Sequence, residues 1–218
     1  MKKIFFAFLF FFSLLSIAQE KTKFGINTGI TYSDIRGNEI ANKNKYAFDF
    51  LIGTSVEIPI NQKFAFLTGL NYERKSFTGE VPLDRIPFDS FDPVVDQVVN
   101  QEANIKIRAT MSYLNIPLNI KYYIGKQNSF FVNGGIYTAI FINSKTDFGG
   151  NEKGVFNALD FGINLGIGKK IKLNEKVNLN IEFKNNYGLV NISKLPVYNN
   201  GTVKVNSYNL LLNWEIKI

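Results

Sequence analysis

The segment Tyr113–Ile124 reads YLNIPLNIKYYI, and apolar and polar residues alternate along it. Successive side chains of an extended strand point to opposite faces, so the segment predicts a strand with one apolar and one polar face. Pro117 argues against a helix and lacks a backbone donor, and we expect a local bulge to accommodate it. The apolar face holds Leu114, Ile116, Leu118, Ile120 and Tyr122, and the polar face holds Asn115, Pro117, Asn119, Lys121 and Tyr123.

The same alternation recurs along the chain and predicts about eight strands, without a convincing helical period between them. The expected strands lie near 24–33, 48–58, 64–77, 105–124, 130–143, 159–168, 177–187 and 208–218. Connections after odd-numbered strands are long, and those after even-numbered strands are short. In an up-and-down barrel the two sets lie at opposite rims. The sequence therefore predicts an all-β fold, an eight-stranded antiparallel up-and-down barrel with long loops at one rim only.

The N-terminus has the pattern of a secretory signal peptide. Lys2 and Lys3 precede the almost wholly apolar stretch Ile4–Leu15, and small residues stand at Ser16 and Ala18. The apolar stretch is short for a membrane span. We therefore predict a signal peptide over residues 1–18, cleaved after Ala18, and a barrel domain over residues 19–218.

The composition excludes several kinds of site. The chain has no Cys and no His, so disulfides, thiolate or His-ligated metal sites and a Ser-His-Asp triad are impossible. We expect no enzyme activity and no cofactor. The formal net charge is +7, but export and the scatter of Lys over turns and loop ends argue against nucleic acid as a partner. These Lys side chains are expected to contact anionic lipid head groups.

The two faces of the strands can be solvated in two ways. The apolar face points outward in a lipid-embedded barrel, and inward in a soluble periplasmic ligand-binding barrel. Abundant Gly and Asn on the polar face suit a narrow interior, and aromatic residues near strand ends suit a membrane interface. We therefore predict a transmembrane barrel in the outer membrane, with short periplasmic turns and longer outer loops. The expected interfacial aromatic residues are Tyr32, Phe48, Phe64, Tyr72, Tyr113, Tyr122 and Trp214.

Polar and charged residues of the inward face are expected to form a network in the lumen. Opposite charges would pair with each other and with Asn amides, as buried polar groups require. The alternatives are a pore lining or a catalytic acid pair such as Glu57 and Glu73, although eight strands leave no room for an open channel. The predicted network consists of Asp49, Glu57, Glu73, Asn119, Lys121, Asp160, Glu182, Lys184 and Glu215.

The segment Gly79–Asn104 is the most distinctive connection, because it is both acidic and apolar and contains a single basic residue, Arg85. This composition favours a loop that packs over the barrel mouth and carries solvating charge, with a partner-contact loop and a Ca²⁺ site as the alternatives that acidic and apolar residues together suggest. The acidic spacing does not match an EF-hand, and Asp92–Val99 is long enough for one or two helical turns. The candidate contact residues are Asp84, Phe88, Asp89, Phe91, Asp92 and Asp96.

Three segments resemble the PorT-like outer-membrane β-barrel family of Bacteroidetes. They are YLNIPLNIKYYIG (113–125), FVNGGIYTAI (131–140) and DFGINLGIG (160–168). The resemblance covers essentially the whole mature chain and implies an eight-stranded outer-membrane barrel. The founding member of that family is associated with protein secretion, a role that does not transfer on fold alone.

From these observations we expect a small outer-membrane barrel with a structural, adaptor or secretion-associated role and no catalysis. Its partners would be outer-membrane lipid and, through the outer loops, other envelope or secretion proteins. The alternatives are a narrow channel and the soluble periplasmic ligand-binding barrel.

Overall fold

The structure, a computed structural model, describes residues 22–82, 104–147 and 154–217. Eight antiparallel strands form a closed barrel in which each strand pairs with its neighbours in the chain and the first pairs with the last. This confirms the predicted fold. The strands are β1 (Lys23–Arg36), β2 (Lys45–Pro59), β3 (Phe64–Pro82), β4 (Asn104–Ile124), β5 (Phe130–Thr146), β6 (Leu159–Lys172), β7 (Val177–Gly188) and β8 (Lys204–Lys217).

Helical structure in the described residues is limited to two 3-10 turns, Ala41–Lys43 and Tyr198–Asn200. Both lie in connections between strands. No helix in the described part of the chain is long and apolar enough to cross a membrane.

The apolar faces of the strands point outward and the polar faces point into the lumen. In β4, Leu118 and Ile120 are 43% and 47% exposed, whereas Asn119 and Lys121 are 1% and 2% exposed. The same alternation holds along β6, where Leu165 is 69% exposed and the adjacent Asn164 is buried. The inward-facing apolar surface of a soluble ligand-binding barrel is therefore absent from the described strands, and that alternative is wrong.

The lengths of the connections alternate as predicted. At one end of the barrel, here called the short-turn rim, the connections span 60–63, 125–129 and 173–176. At the other end, the long-loop rim, they span 37–44, 83–103, 147–158 and 189–203. The expected arrangement of short turns at one rim and long loops at the other is confirmed.

The hairpin of β3 and β4 extends further than the sequence pattern indicated. The sequence has no clear strand period over Gly79–Asn104, but Gly79–Pro82 pairs in register with Asn104–Ile107. The neighbouring strands end earlier: Thr78 is the last β3 residue that pairs with β2, and Ala109 is the last β4 residue that pairs with β5. The β3–β4 hairpin therefore projects beyond its neighbours at the long-loop rim.

Pro117 is accommodated without the expected bulge. The register of β4 against β5 runs through Pro117 unbroken, and its only shift lies at Ser112/Tyr113. Against β3 the register is the same on both sides of the proline, and only the pairs opposite Gly69 and Leu70 are missing. The Thr68 hydroxyl donates to the Pro117 carbonyl oxygen at 2.8 Å. A short gap in the ladder thus replaces the predicted bulge.

Outward aromatic side chains form two rings near the ends of the apolar band. Near the long-loop rim, Tyr32 contacts both Phe48 and Tyr46, with ring centroids 4.5 Å and 4.8 Å away. Near the short-turn rim, Phe64 contacts Tyr122 at 4.9 Å. Tyr113, expected in a ring, is instead fully buried inside the barrel, because it lies on the same inward face of β4 as Asn115 and Asn119.

Candidate functional site

The lumen is the candidate site, because it contains most of the buried charged side chains among the described residues. Every predicted network residue except Asp49 lies on the inward face and is buried there. These residues are Glu57, Glu73, Asn119, Lys121, Asp160, Glu182, Lys184 and Glu215.

Near the short-turn rim, Glu57 is held by three donors. Lys23 Nζ lies 2.5 Å and Lys121 Nζ 2.7 Å from its carboxylate, and the Tyr123 hydroxyl donates to it at 2.6 Å. Lys23 also lies 3.7 Å from Glu215. The two acids and two lysines balance each other, as buried charges require.

The middle of the lumen carries an ion pair surrounded by amides. Lys184 Nζ lies 2.8 Å from Glu182 Oε1, which also accepts a hydrogen bond from Asn133 at 3.0 Å. Asn119 donates in turn to Asn133 at 3.2 Å. These contacts join the side chains of three strands, β4, β5 and β7.

Towards the long-loop rim, Glu73 accepts hydrogen bonds mainly from neutral groups. Asn115 donates at 2.6 Å, and Ser207 and Asn209 each donate at 3.1 Å. All are buried, so the carboxylate is stabilised by fixed amide and hydroxyl dipoles.

Beside Glu73, the fully buried Lys75 forms a second ion pair. Its Nζ lies 3.3 Å from Asp160 Oδ2, and the Tyr137 hydroxyl donates to the same oxygen at 3.1 Å. Lys75 also lies 5.0 Å from the ring centroids of Tyr113 and Tyr137. The cation is therefore held by one carboxylate and two aromatic faces.

Lys23 and Lys75 belong to the network but were missing from the predicted set. Lys23 lies two residues before the inward Gly25, and Lys75 lies two residues after the inward Glu73. Extending the alternation of each strand by one step therefore places both lysines on the inward face. Lys23 lies one residue before the expected start of the first strand at Phe24. Lys75 lies within the expected third strand but was not included in the predicted network.

An apolar cluster closes the lumen at the long-loop end. It consists of Met111, Tyr113, Tyr137, Ala139, Ile192 and Val205. Ile192 comes from the 189–203 connection and has no exposed surface. Its backbone nitrogen donates to Val203 at 2.8 Å, and its carbonyl accepts from Asn157 of the 147–158 connection at 2.7 Å. Two outer connections are thus tied together over the mouth.

A small cavity of about 50 Å³ lies in the lumen between the charge clusters. Glu73, Lys121, Glu182 and Lys184 contribute to its lining. This volume accommodates only a few water molecules. Among the described residues, the arrangement is a filled interior in which the acids are engaged by nearby donors.

Asp49 lies outside this network, on the outward side of the barrel. A register shift between Ala47 and Leu51 of β2 displaces it. Its carboxylate pairs with Arg74 Nε at 3.2 Å and Arg108 at 3.0 Å. Arg74 stands between the inward Glu73 and Lys75 and therefore points outward. The prediction that Asp49 belongs to the lumen is wrong, because simple alternation does not hold through a bulge.

The candidate contact residues Asp84, Phe88, Asp89, Phe91, Asp92 and Asp96 lie outside the described residues, as do Asp92–Val99 and the signal peptide. Within the described ranges no group of acidic side chains is arranged to hold a metal ion.

Comparisons with known proteins agree with the barrel geometry. The model of the outer membrane protein beta-barrel domain family matches residues 17–194. No curated protein matches the chain.

Solved structures similar to the chain include three bacterial surface or outer membrane proteins. Neisserial surface protein A has a TM-score of 0.46 at 12% identity, over 89% of this chain and 97% of that one. The E. coli outer membrane protein W has a TM-score of 0.46 at 13% identity, over 92% and 100%. OprG from Pseudomonas aeruginosa has a TM-score of 0.43 at 16% identity, over 91% and 98%.

The family match covers most of the described barrel, and the outward apolar face suits a lipid bilayer. The chain is a small β-barrel of the outer membrane, and it belongs to the outer membrane protein beta-barrel domain family.

Proposed function

We propose that this barrel is a non-conducting and non-catalytic scaffold in the outer membrane, with a structural, adaptor or secretion-associated role. The observation that supports this proposal best is the filled lumen. Charged and amide groups occupy its middle, and the cluster around Ile192 covers its long-loop end. A barrel with this interior offers its loops, rather than its lumen, for interactions.

The absence of catalysis is proposed from the sequence and from the engagement of the lumen acids. The chain has no His and no Cys to serve as base or nucleophile. Glu57 and Glu73 are each engaged by several donors, which favours a structural use of both carboxylates.

The proposed contact surface is the connection between β3 and β4. Its described ends, Gly79–Pro82 and Asn104–Ile107, extend the hairpin past the neighbouring strands. The residues between them are acidic and apolar, a composition that suits a protein partner. The resemblance to the PorT-like family suggests that this partner belongs to an envelope or secretion assembly.

Two measurements test the proposal. Planar bilayers containing the purified barrel are expected to stay electrically silent, whereas discrete conductance that changes when Lys121 is neutralised would support the narrow channel instead. Photo-crosslinkers at Phe88 and Phe91 are expected to capture the same partner in native membranes. A crosslinker at Ile60, on the short-turn rim, is the matched control and should not capture it.

The proposal also includes export through the predicted signal peptide. The purified mature protein is expected to begin after Ala18. Intact-mass measurement that finds residues 1–18 still attached would contradict this part.

A further inference from the structure

The displaced Asp49 lies at the centre of a cationic cluster on the outward face of the barrel. Arg74 and Arg108 both pair with its carboxylate, and Arg108 also donates to the Phe48 carbonyl oxygen. The Arg74 guanidinium lies 5.3 Å from the ring centroid of Phe50. The cluster therefore spans β2, β3 and β4 on the side that faces the membrane.

The position of the cluster along the barrel axis is defined by its neighbours. Tyr72 is the last aromatic residue of the outward face of β3, and Arg74 is the next outward position towards the long-loop rim. Outward positions of other strands change from aromatic to polar at a similar level, as at Tyr32 and Asp34. Aromatic residues mark the bilayer interface, so the arginines lie at the height of the outer-leaflet head groups.

The charges of the cluster are not balanced. Two guanidinium groups face one carboxylate, whose side chain is only 4% exposed, while those of Arg74 and Arg108 are 35% and 39% exposed. Lys145 lies on a neighbouring strand, where it pairs with Thr110. The Asp147 carboxylate accepts from the Arg108 backbone N–H at 2.8 Å. Among the described residues, the two arginines and Lys145 exceed the Asp49 and Asp147 carboxylates by one positive charge, and both guanidinium groups are partly exposed towards the head-group region.

An apolar groove begins beside the cluster. It has a volume of about 450 Å³ and runs along the outward face over β1, β7 and β8. Phe48 belongs to both features, because its ring lines the groove and its carbonyl accepts from Arg108. The groove is lined by Ile30, Tyr32, Phe48, Phe183, Tyr208 and Leu210.

We propose that Arg74 and Arg108 bind the phosphate of an anionic outer-leaflet lipid, one of whose acyl chains lies in this groove. Guanidinium groups match phosphate oxygens in paired, charge-assisted hydrogen bonds. At the interface these bonds are screened less than in bulk water. Asp49 holds the two arginines together and also competes with the phosphate for them.

Because the Asp49 carboxylate competes with the phosphate for the two arginines, removing that carboxylate tests the proposal. The full mature chain is folded into phosphatidylcholine bilayers that contain lipid A, with dephosphorylated lipid A as the comparison, and lipid retention is measured by native mass spectrometry. Asp49→Asn removes the competing carboxylate and is expected to increase retention of the phosphorylated lipid several-fold. A purely structural cluster predicts no such increase.

The opposite change removes the cations. Replacing both arginines alone would leave Asp49 buried without a counter-charge, so the variant Asp49→Asn/Arg74→Gln/Arg108→Gln is used. It is expected to retain the phosphorylated lipid on the order of tenfold less than wild type, the scale of hydrogen bonds to charged groups. Lys106→Gln, which lowers the net charge by one as the triple variant does, is the control for net charge and should bind as wild type does. Equal retention by wild type, Asp49→Asn and the triple variant would overturn the proposal.

Discussion

At the scale of single residues, the stability of the barrel depends on charges that are buried as complete sets. Glu57 accepts from Lys23, Lys121 and Tyr123, and Lys121 Nζ also lies 4.0 Å from the centroid of the Phe131 ring. Removing one member of such a set leaves its partners charged in a poorly solvated interior. That cost is larger than the net contribution of the intact set.

Glu57→Gln is therefore expected to destabilise the folded barrel by about 3–5 kcal/mol, because two lysines lose their counter-charge. The measurement is the urea dependence of the heat-modifiable gel band in lipid vesicles. Glu80→Gln is the matched control, since Glu80 forms an exposed pair with Lys45 at 2.8 Å. That variant should unfold at the wild-type urea concentration, and an equal loss in both variants would contradict the argument.

Most inward residues could be predicted because the strand period is regular wherever the register is regular. Asn119, Lys121 and Glu182 followed from alternation alone. Asp49 was placed in the lumen because alternation alone does not show the register shift of β2 around it. Tyr113 shares the inward face of β4 with Asn115 by alternation, and it was expected at the interface only because it is an aromatic residue near a strand end. A bulge is specified by hydrogen bonds between strands, so a single strand sequence does not reveal it.

At the scale of the strands, close backbone approach explains which glycines the barrel requires. A Cβ on Gly135, which points inward from β5, would collide with the Leu118 carbonyl oxygen and lie 2.8 Å from Asn119 Oδ1. A Cβ on the adjacent outward Gly134 would meet its nearest atoms at 3.4 Å. The two glycines are adjacent in one strand, but an added Cβ would collide with a neighbour only at Gly135.

Gly135→Ala is expected to destabilise the barrel by about 1–3 kcal/mol, because β4 and β5 must separate to admit the methyl group. Gly134→Ala, the matched control, should be close to neutral. Urea unfolding in vesicles measures both variants. A larger loss for Gly134→Ala than for Gly135→Ala would show that backbone approach does not decide the difference.

The 189–203 connection covers the lumen at the long-loop rim, where Ile192 packs in the apolar cluster. Ile192→Asp buries an unpaired charge in the apolar cluster and should release the connection without unfolding the strands. We expect proteolysis between residues 189 and 203 to accelerate at least about tenfold, while the heat-modifiable band persists. A tenfold acceleration corresponds to a loss of about 1.4 kcal/mol in the free energy of local opening.

Leu195→Asp is the control for this experiment, because Leu195 lies in the same connection and is 55% exposed. Its proteolysis rate should match that of wild type. Equal acceleration in both variants would mean that Ile192 does not anchor the cover.

At the scale of the whole molecule, the outward apolar band relates the barrel to its membrane. The band is bounded by aromatic contacts at both ends, and β6 crosses it from Leu159 to Lys169 with apolar residues at every outward position between them. Leu165 lies near the middle of this crossing. An arginine at such a position must bring its charge into hydrocarbon, at a cost that depends on depth.

Leu165→Arg is therefore expected to lower the unfolding free energy in lipid vesicles by about 2–4 kcal/mol. Ile60→Arg is the matched control, since Ile60 is also an exposed apolar residue, 47% accessible, but lies in the 60–63 turn beyond the band. Its unfolding free energy should stay at the wild-type value, because the new charge remains in water. If both arginines cost the same, burial in lipid does not distinguish the two positions, and the depth assigned to β6 is wrong. If only Leu165→Arg is costly, the band defined here by side-chain exposure is the part of the barrel that the bilayer covers.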